Sequence, residues 1–204
     1  MRWNIRTMAG LVLGLVLLLS SVAVADAEKD AEERAEIDAM AKATMKKLFE
    51  SSKDAKTLYD KAIGYAVFSN VKVQLGISGG GGKGVAVAKA GNRTYMKMGT
   101  GGIGFGIGAQ KYQVIFLFET EKALKSFVET GWEADTSAQA AAGEAAAGIA
   151  VSFKGGIAYY QITEKGLIAS ADITGTKYWK DDDLNEKEPS DEKDEKNEED
   201  EKKE

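Results

Sequence analysis

Two residue types are missing from this 204-residue chain: it has no cysteine and no histidine. Without cysteine there is no disulfide, no thiol redox chemistry and no lipid-modified N-terminal cysteine. Without histidine the Ser–His nucleophile pair is gone. With both absent, so are Cys–His pairs and the common zinc ligand sets. Carboxylate pairs such as Glu119 and Glu121 survive this filter, and a hydrolase working through two acids stays open. These two sit where a strand is expected to end and a helix to begin, so capping and solvation account for them. No cofactor and no metal is expected.

Long apolar runs are also scarce. The main one, Leu11 to Leu19, follows Arg2 and Arg6 and precedes the small residues Ala23-Val24-Ala25. This is the order of a secretory signal peptide, with cleavage expected before Asp26. An uncleaved anchor is the alternative, but the run is shorter than the roughly 20 residues that span a bilayer. A periplasmic or secreted bacterial protein is therefore expected.

The chain carries a formal charge of −5, which is unevenly distributed. Residues 181–204 hold 14 acids and five lysines, net −9, and residues 26–180 hold 20 basic and 18 acidic groups, net +2. The acidic stretch has only Leu184 and Pro189 as apolar residues and reads as a disordered tail. It serves either as a solubilising tail or as an electrostatic brake that competes with anionic ligands for the folded domain.

Residues 28–50 read as a helix, with Ile37, Met40, Ala41, Met45, Leu48 and Phe49 at three- and four-residue spacing. Acids crowd its beginning and lysines its end. Such a helix covers a core or lies on a membrane surface. Ser51 or Ser52 can cap a second helix to about Ala62.

From Gly64 the pattern is β. Short strands are expected at 65–68 and 71–75, then a loop at Gly79–Gly82, then a hairpin of 85–90 and 93–98 around Gly91-Asn92. In Gly102-Ile103-Gly104-Phe105-Gly106-Ile107-Gly108-Ala109, glycine takes every second place. As a strand this segment has one apolar face and one bare face, which usually marks the close approach of another backbone or ring. Tyr112 to Phe118 is apolar on both faces and is expected at the centre of a sheet. Thr120 can cap a helix through Val128 that Gly131 ends. Ala134 to Ala150 is expected to be extended. Residues 153–162 and 167–173 are expected to form a hairpin, with Tyr178-Trp179 closing the folded part. The predicted class is α+β: an N-terminal amphipathic helix or helices, then a mainly antiparallel, glycine-rich curved sheet or barrel-like core.

Two glycine motifs fail on context. Gly99-Thr100-Gly101-Gly102-Ile103-Gly104 spells G-x-G-x-x-G, but a strand follows where a dinucleotide site needs a helix. Gly82-Lys83 suggests a phosphate loop, but Ile77 and Gly84 replace its first glycine and its Ser/Thr. What remains is an anion-binding concavity of backbone N–H groups around Lys83, with Lys72, Arg93, Lys97 and Lys111 on neighbouring segments. The plainer alternative is a mobile hairpin loop with solvated lysines.

The order of several pieces resembles the SYLF domain family. They are Ala62-Ile63-Gly64-Tyr65-Ala66-Val67-Phe68, Val71-Lys72, the glycine loop with Lys83-Gly84, residues 102–110, Tyr159-Tyr160 and Glu164-Lys165-Gly166-Leu167-Ile168-Ala169. The likeness covers about residues 50–185. It departs at Tyr95-Met96-Lys97, where the family often has a tryptophan and a proline. It departs again after Asn185, where acidic residues replace the usual tyrosine. The resemblance implies a non-enzymatic domain that binds phospholipid through basic residues and an amphipathic N-terminal helix. Actin binding is implied only for yeast members, and a secreted protein meets no actin. No nucleic-acid partner is expected. The expected headgroup ligands are Lys72, Lys83 and Lys111, with Lys46 and Lys47 on the helix. The expected partner is an anionic phospholipid or membrane surface of the bacterial envelope. A structural or protein-interaction module without a lipid ligand is the alternative.

Overall fold

The segments expected as short strands and a glycine loop form two very long strands. The computed structural model describes residues 5–133, 151–164, 166–168 and 175–185, with side chains described from residue 28 onward except at 75–77, 103–107 and 168. The element order is α1 (Ile5–Ser51), α2 (Lys53–Lys61), β1 (Gly64–Ala88), β2 (Arg93–Phe118), α3 (Glu121–Glu129), β3 (Trp132–Glu133), β4 (Ile157–Thr163), β5 (Gly166–Ile168) and β6 (Thr176–Lys180). The strands make one curled antiparallel six-stranded sheet in the order β3-β6-β2-β4-β5, with β1 paired along β2. The α+β class and the curved antiparallel sheet agree with the expectation.

β1 and β2 form a ribbon closed by a four-residue turn, Lys89 to Asn92, rather than by Gly91-Asn92 alone. Val87 pairs with Arg93, and the Ala88 N–H donates to the Asn92 carbonyl at 3.0 Å. A register shift between Leu75 and Ile77 divides the ribbon, and a bulge of this kind bends and twists a strand pair. Each half of β2 then gains its own neighbour. Residues 112–118 pair with β4, and residues 96–100 pair with β6. Tyr112 to Phe118 is thus central, as its two-faced apolar pattern requires.

Gly79 to Gly82 is strand and not loop, pairing with Gly101, Thr100, Gly99 and Met98. The reason is the fold of β1 on itself. A Cβ on Gly80 would stand 2.5 Å from the Val71 carbonyl oxygen, one on Gly82 1.8 Å from that of Ser69, and one on Gly84 2.2 Å from that of Val67. Alternate glycines let the second half of β1 lie directly against the backbone of the first. The close approach expected where glycines alternate is thus seen at Gly80, Gly82 and Gly84. At Gly101 and Gly108 an added Cβ would meet nothing within 4 Å, and at Gly99 it would meet the Trp179 ring at 3.2 Å. Gly104 and Gly106 lie outside the residues whose surroundings are described.

The alternation of β side chains produces two cores. On one face Val67, Val85, Val87, Ile115, Leu117 and Tyr160 pack under α1 and α2, against Ile37, Ala41, Met45, Leu48 and Ala55. The helical stripe read between residues 28 and 50 is what buries there, within a helix that runs from Ile5 to Ser51. The acids at 28–33 are consequently mid-helix. On the other face Phe68, Met96, Met98, Phe116, Phe118 and Tyr178 pack with Phe127 of α3. Phe116 and Phe127 centroids are 5.0 Å apart, and those of Phe68 and Tyr178 4.7 Å. Such pairs add about 0.5–1.5 kcal/mol each beyond area burial.

Local signals position the short helices. The Ser52 hydroxyl accepts the Ala55 N–H at 3.1 Å, the Thr120 hydroxyl accepts the Ala123 N–H at 3.2 Å, and Gly131 follows α3 with φ +78°. The β4–β5 pairing through Thr163 and Gly166 agrees with the expected hairpin, although the strand begins at Ile157 after a tight Lys154–Ile157 turn. The expected extended segment 134–150 and residues 169–173 lie outside the described residues.

The acidic stretch expected to be tail from Asp181 begins inside the fold. Leu184 is 3% exposed in the α1-side core. The Asn185 side chain clamps Tyr95, accepting its N–H at 3.0 Å and donating to its carbonyl at 2.7 Å. Polar contacts hold the rest of the segment: the Asp181 N–H donates to the Tyr95 carbonyl at 3.0 Å, and Arg34 of α1 donates to the Leu184 carbonyl at 3.0 Å.

Candidate functional site

Helix α1 does not seal its face of the sheet. Between it, α2 and the ribbon lies an open groove of about 670 Å³, lined by Met45, Phe49, Tyr59, Tyr65, Val85 and Val87, with Lys42, Lys46, Arg93, Asp38 and Glu50 among its charged residues. That size falls within the roughly 300–1,000 Å³ of small-ligand sites. The floor is aromatic: Phe49 and Tyr59 centroids lie 5.0 Å apart, and Tyr59 and Tyr65 5.9 Å apart. Lys56 and Lys89 approach the Tyr59 ring at 5.8 and 5.3 Å. Burial, and then the neighbouring Tyr59, raises the Tyr65 hydroxyl above its usual range, so it stays a neutral donor.

The groove's helical wall follows from spacing. Lys42, Met45, Lys46 and Phe49 recur at three- and four-residue intervals and share one side of α1. Ribbon residues Val85, Val87 and Arg93 come from paired strands, with Val87 directly opposite Arg93. Arg93 is held by Asp38 at 3.4 Å, and Lys46 makes only an exposed 3.8 Å pair with Glu50, a contact worth little in water.

The electrostatics have one dominant feature. From Lys61 to Phe118 there is no acidic residue, and seven basic ones. The counter-charges come from outside the ribbon. Lys83 pairs with Glu33 of α1. Lys97, directly opposite Lys83 in register, pairs with Asp181 at 2.7 Å and Asp183 at 2.9 Å. Hydrogen bonds to Asp181 and then Asp183 push the Lys97 amine up to about 12. Two lysines facing each other across a ladder repel, and the helix and the C-terminal segment relieve that repulsion.

The five lysines expected to share a headgroup are therefore not gathered together. Lys46 lines the groove, whereas Lys47 is exposed on α1 and does not line it. Lys83 is held by Glu33. Lys72 and Lys111 lie in the other half of the ribbon on opposite faces, since Lys72 pairs with Gln110 and Lys111 with Val71. The expected backbone concavity around Lys83 is absent because Gly79 to Gly82 are in the ladder with β2. Sequence reading missed Lys42, Phe49, Tyr59 and Tyr65 as a lining. Their signal was lysine falling on the same helical side as the core stripe.

The groove does not suit paired-carboxylate hydrolysis. Asp38 and Glu50 are twelve residues apart on one helix, about 18 Å along its axis, and the acid pairs of glycosidases stand about 5–9.5 Å apart. Among the described residues no group of three or more metal-ligating side chains is present.

Residues 99–188 match the family model described as Ysc84, Las17-binding protein actin regulator. This stretch is thus similar to the Ysc84, or SYLF, family. It is also 45% identical over 151 residues to beta cell expansion factor A of Aeromonas veronii, an alignment covering 74% of this chain and 58% of that relative. The chain therefore aligns with less than two thirds of the relative's length. The SYLF match starts inside β2 and ends beyond Asn185, so it contains both β6 and the segment that neutralises Lys97.

Proposed function

We propose that this protein binds phospholipid, or an amphiphile with an anionic headgroup, without catalysis, in the periplasm or outside the cell after loss of residues 1–25. The observation that carries the reading is the groove between α1 and the ribbon, whose aromatic and aliphatic floor suits an acyl chain while Lys42, Lys46 and Arg93 suit the headgroup. Association of the SYLF family with lipid binding supports it. Lys46 is the one sequence-expected headgroup ligand that this reading keeps, and Arg93 joins it.

The test is native mass spectrometry and lipid extraction of the protein purified from its own envelope. A phospholipid adduct is expected, reduced about tenfold by Phe49→Ala or by Arg93→Ala. Protein that retains no lipid and takes up no phosphatidylglycerol would falsify the reading. The family model's description names a protein ligand, which favours a second reading, a protein-interaction module of the envelope. That reading predicts a captured protein partner and no retained lipid.

A further inference from the structure

The glycines that alternate with Gly80 and Gly82 face the other way, onto the side of the sheet that carries α1. There Gly81 pairs with Gly99 and Gly79 with Gly101, next to the facing pair Lys83 and Lys97. Added Cβ atoms at Gly79 and Gly101 would meet nothing among the described residues within 4 Å, and one at Gly81 only the Met98 oxygen at 3.5 Å. One at Gly99 would meet Trp179 of β6, with Cη2 at 3.2 Å and Cζ3 at 3.4 Å. Both atoms belong to the far edge of the indole, so the ring reaches diagonally from β6 across Gly99. Trp179 is 44% exposed, and it is the only exposed aromatic among the residues whose side chains are described. The result is a flat shelf of bare backbone with an aromatic ring along one side. Its two glycine rungs cover about 7 Å along the strands, and β1, β2 and β6 span about 10 Å across, enough for the footprint of a sugar ring. We propose that this shelf binds a neutral β-linked glycan, with a pyranose ring stacked on Trp179.

Charge and shape select the occupant. The indole face is the negative side of the ring quadrupole and attracts the positively polarised C–H groups on a pyranose face. The polar groups around it come as matched pairs. Lys177 pairs with Glu133 at 3.0 Å, Lys97 with Asp183 at 2.9 Å, and Lys83 with Glu33. Lysines donate and carboxylates accept, so sugar hydroxyls find both kinds of partner at the rim. Glu133 and Asp183 are exposed and repel phosphate, which disfavours an anionic bilayer here. Both edges of β2 are already paired along the shelf, so no peptide strand can add to it. Chains of β-linked gluco-configured rings are flat ribbons with hydroxyls at their edges and C–H groups on their faces, the complement of this surface. Trp179 does not line the groove, so the proposal stands apart from the lipid reading.

The experiment is isothermal titration calorimetry, with tryptophan emission followed in parallel, on the full chain. The probes are cellohexaose, chitohexaose, the α-linked maltohexaose and phosphatidylglycerol vesicles. Heat and an emission shift are expected with a β-linked hexaose, and weaker binding with maltohexaose. Trp179→Ala removes the ring, and Gly101→Leu puts a side chain on the open shelf. Each should weaken binding about tenfold or more, the scale of one aromatic contact, and Trp179→Phe should restore part of it. All three variants should keep the circular dichroism spectrum and any lipid co-extracted with the protein. If Trp179→Ala does not fold, Gly101→Leu decides. Four results overturn the proposal: no heat with either β-linked hexaose at millimolar concentration, unchanged binding by both Trp179→Ala and Gly101→Leu, maltohexaose binding as tightly, or a Trp179-dependent emission shift with vesicles and not with sugars.

Discussion

The two halves of one ribbon have similar composition and opposite surroundings. At the covered half, Gly80, Gly82 and Gly84 have backbone carbonyls where a side chain would go, and Lys83 and Lys97 have acids from α1 and the C-terminal segment. At the open half, Gly108 has empty space, and Val71, Val73 and Lys111 are exposed. Glycine therefore means two different things within thirty residues. In the first half it is required by contact, and in the second it leaves the strand bare.

The sharpest way to break this contrast is to add one methyl group to each half. Gly82→Ala places a Cβ where only 1.8 Å separates it from the Ser69 oxygen. It should cost 3 kcal/mol or more, at or above the top of the roughly 1–3 kcal/mol usual for overpacking, as read by urea unfolding. If the variant does not fold, the milder Gly81→Ala, whose nearest neighbour is the Met98 oxygen at 3.5 Å, should still unfold near the unmodified chain.

Stripping the cover is next in size. Leu184→Ala removes the buried anchor of the C-terminal segment and should cost about 2–4 kcal/mol. It should also loosen the Asn185 clamp, seen as faster hydrogen exchange at the Tyr95 amide. A change of less than 0.5 kcal/mol would mean that the segment does not contribute to the fold.

A smaller effect is electrostatic and depends on pH. The Lys97 pKa is raised in the folded state to about 12, so its contribution is full below the unfolded value near 10.5 and fades as pH rises through 12. Comparing the unmodified chain with Lys97→Met should show a stability difference of about 1–2 kcal/mol at pH 8 that shrinks toward pH 12. Buried Tyr178, also raised, makes both proteins lose stability above pH 10, so only the difference between them reports on Lys97. A constant difference across that range would remove the ion pair from the account.

The smallest expected effect belongs to the open half. Gly108→Ala should lie within about 0.5 kcal/mol of the unmodified chain, since exposed changes away from special backbone rarely do more. A large loss there would show that this half is covered in solution, and the comparison with Gly82 would fail.

Much of the α-helical part was legible locally. Ile37, Ala41, Met45 and Leu48 declare their face by spacing, and Ser52, Thr120 and Gly131 act through bonds to residues a few positions away. Tyr112 to Phe118 announced a central strand because both of its faces are apolar. The tetraglycine stretch was not legible as strand, because glycine has no side chain to pattern and its reason for being there is the backbone of Val67 to Val71. The site was less legible than the fold. Lys83 looked available because Glu33, fifty residues earlier, has no local relation to it. The groove needed α1, α2 and β2 brought together before Phe49, Tyr65 and Arg93 could be seen as one lining.

By itself, the sequence determined the helix stripe and its caps, the β character of residues 64 to 118, the likeness to the SYLF family, and the absence of histidine and thiol chemistry. All of these depend on residue type or on spacing within a few turns. The tertiary structure alone decided which glycines touch a backbone, which lysines are neutralised, and that Asp181 to Asn185 belongs to the domain. Each of those depends on groups far apart in the chain, and their energy comes from a contact that exists only once the ribbon has folded over itself and the helix has covered it.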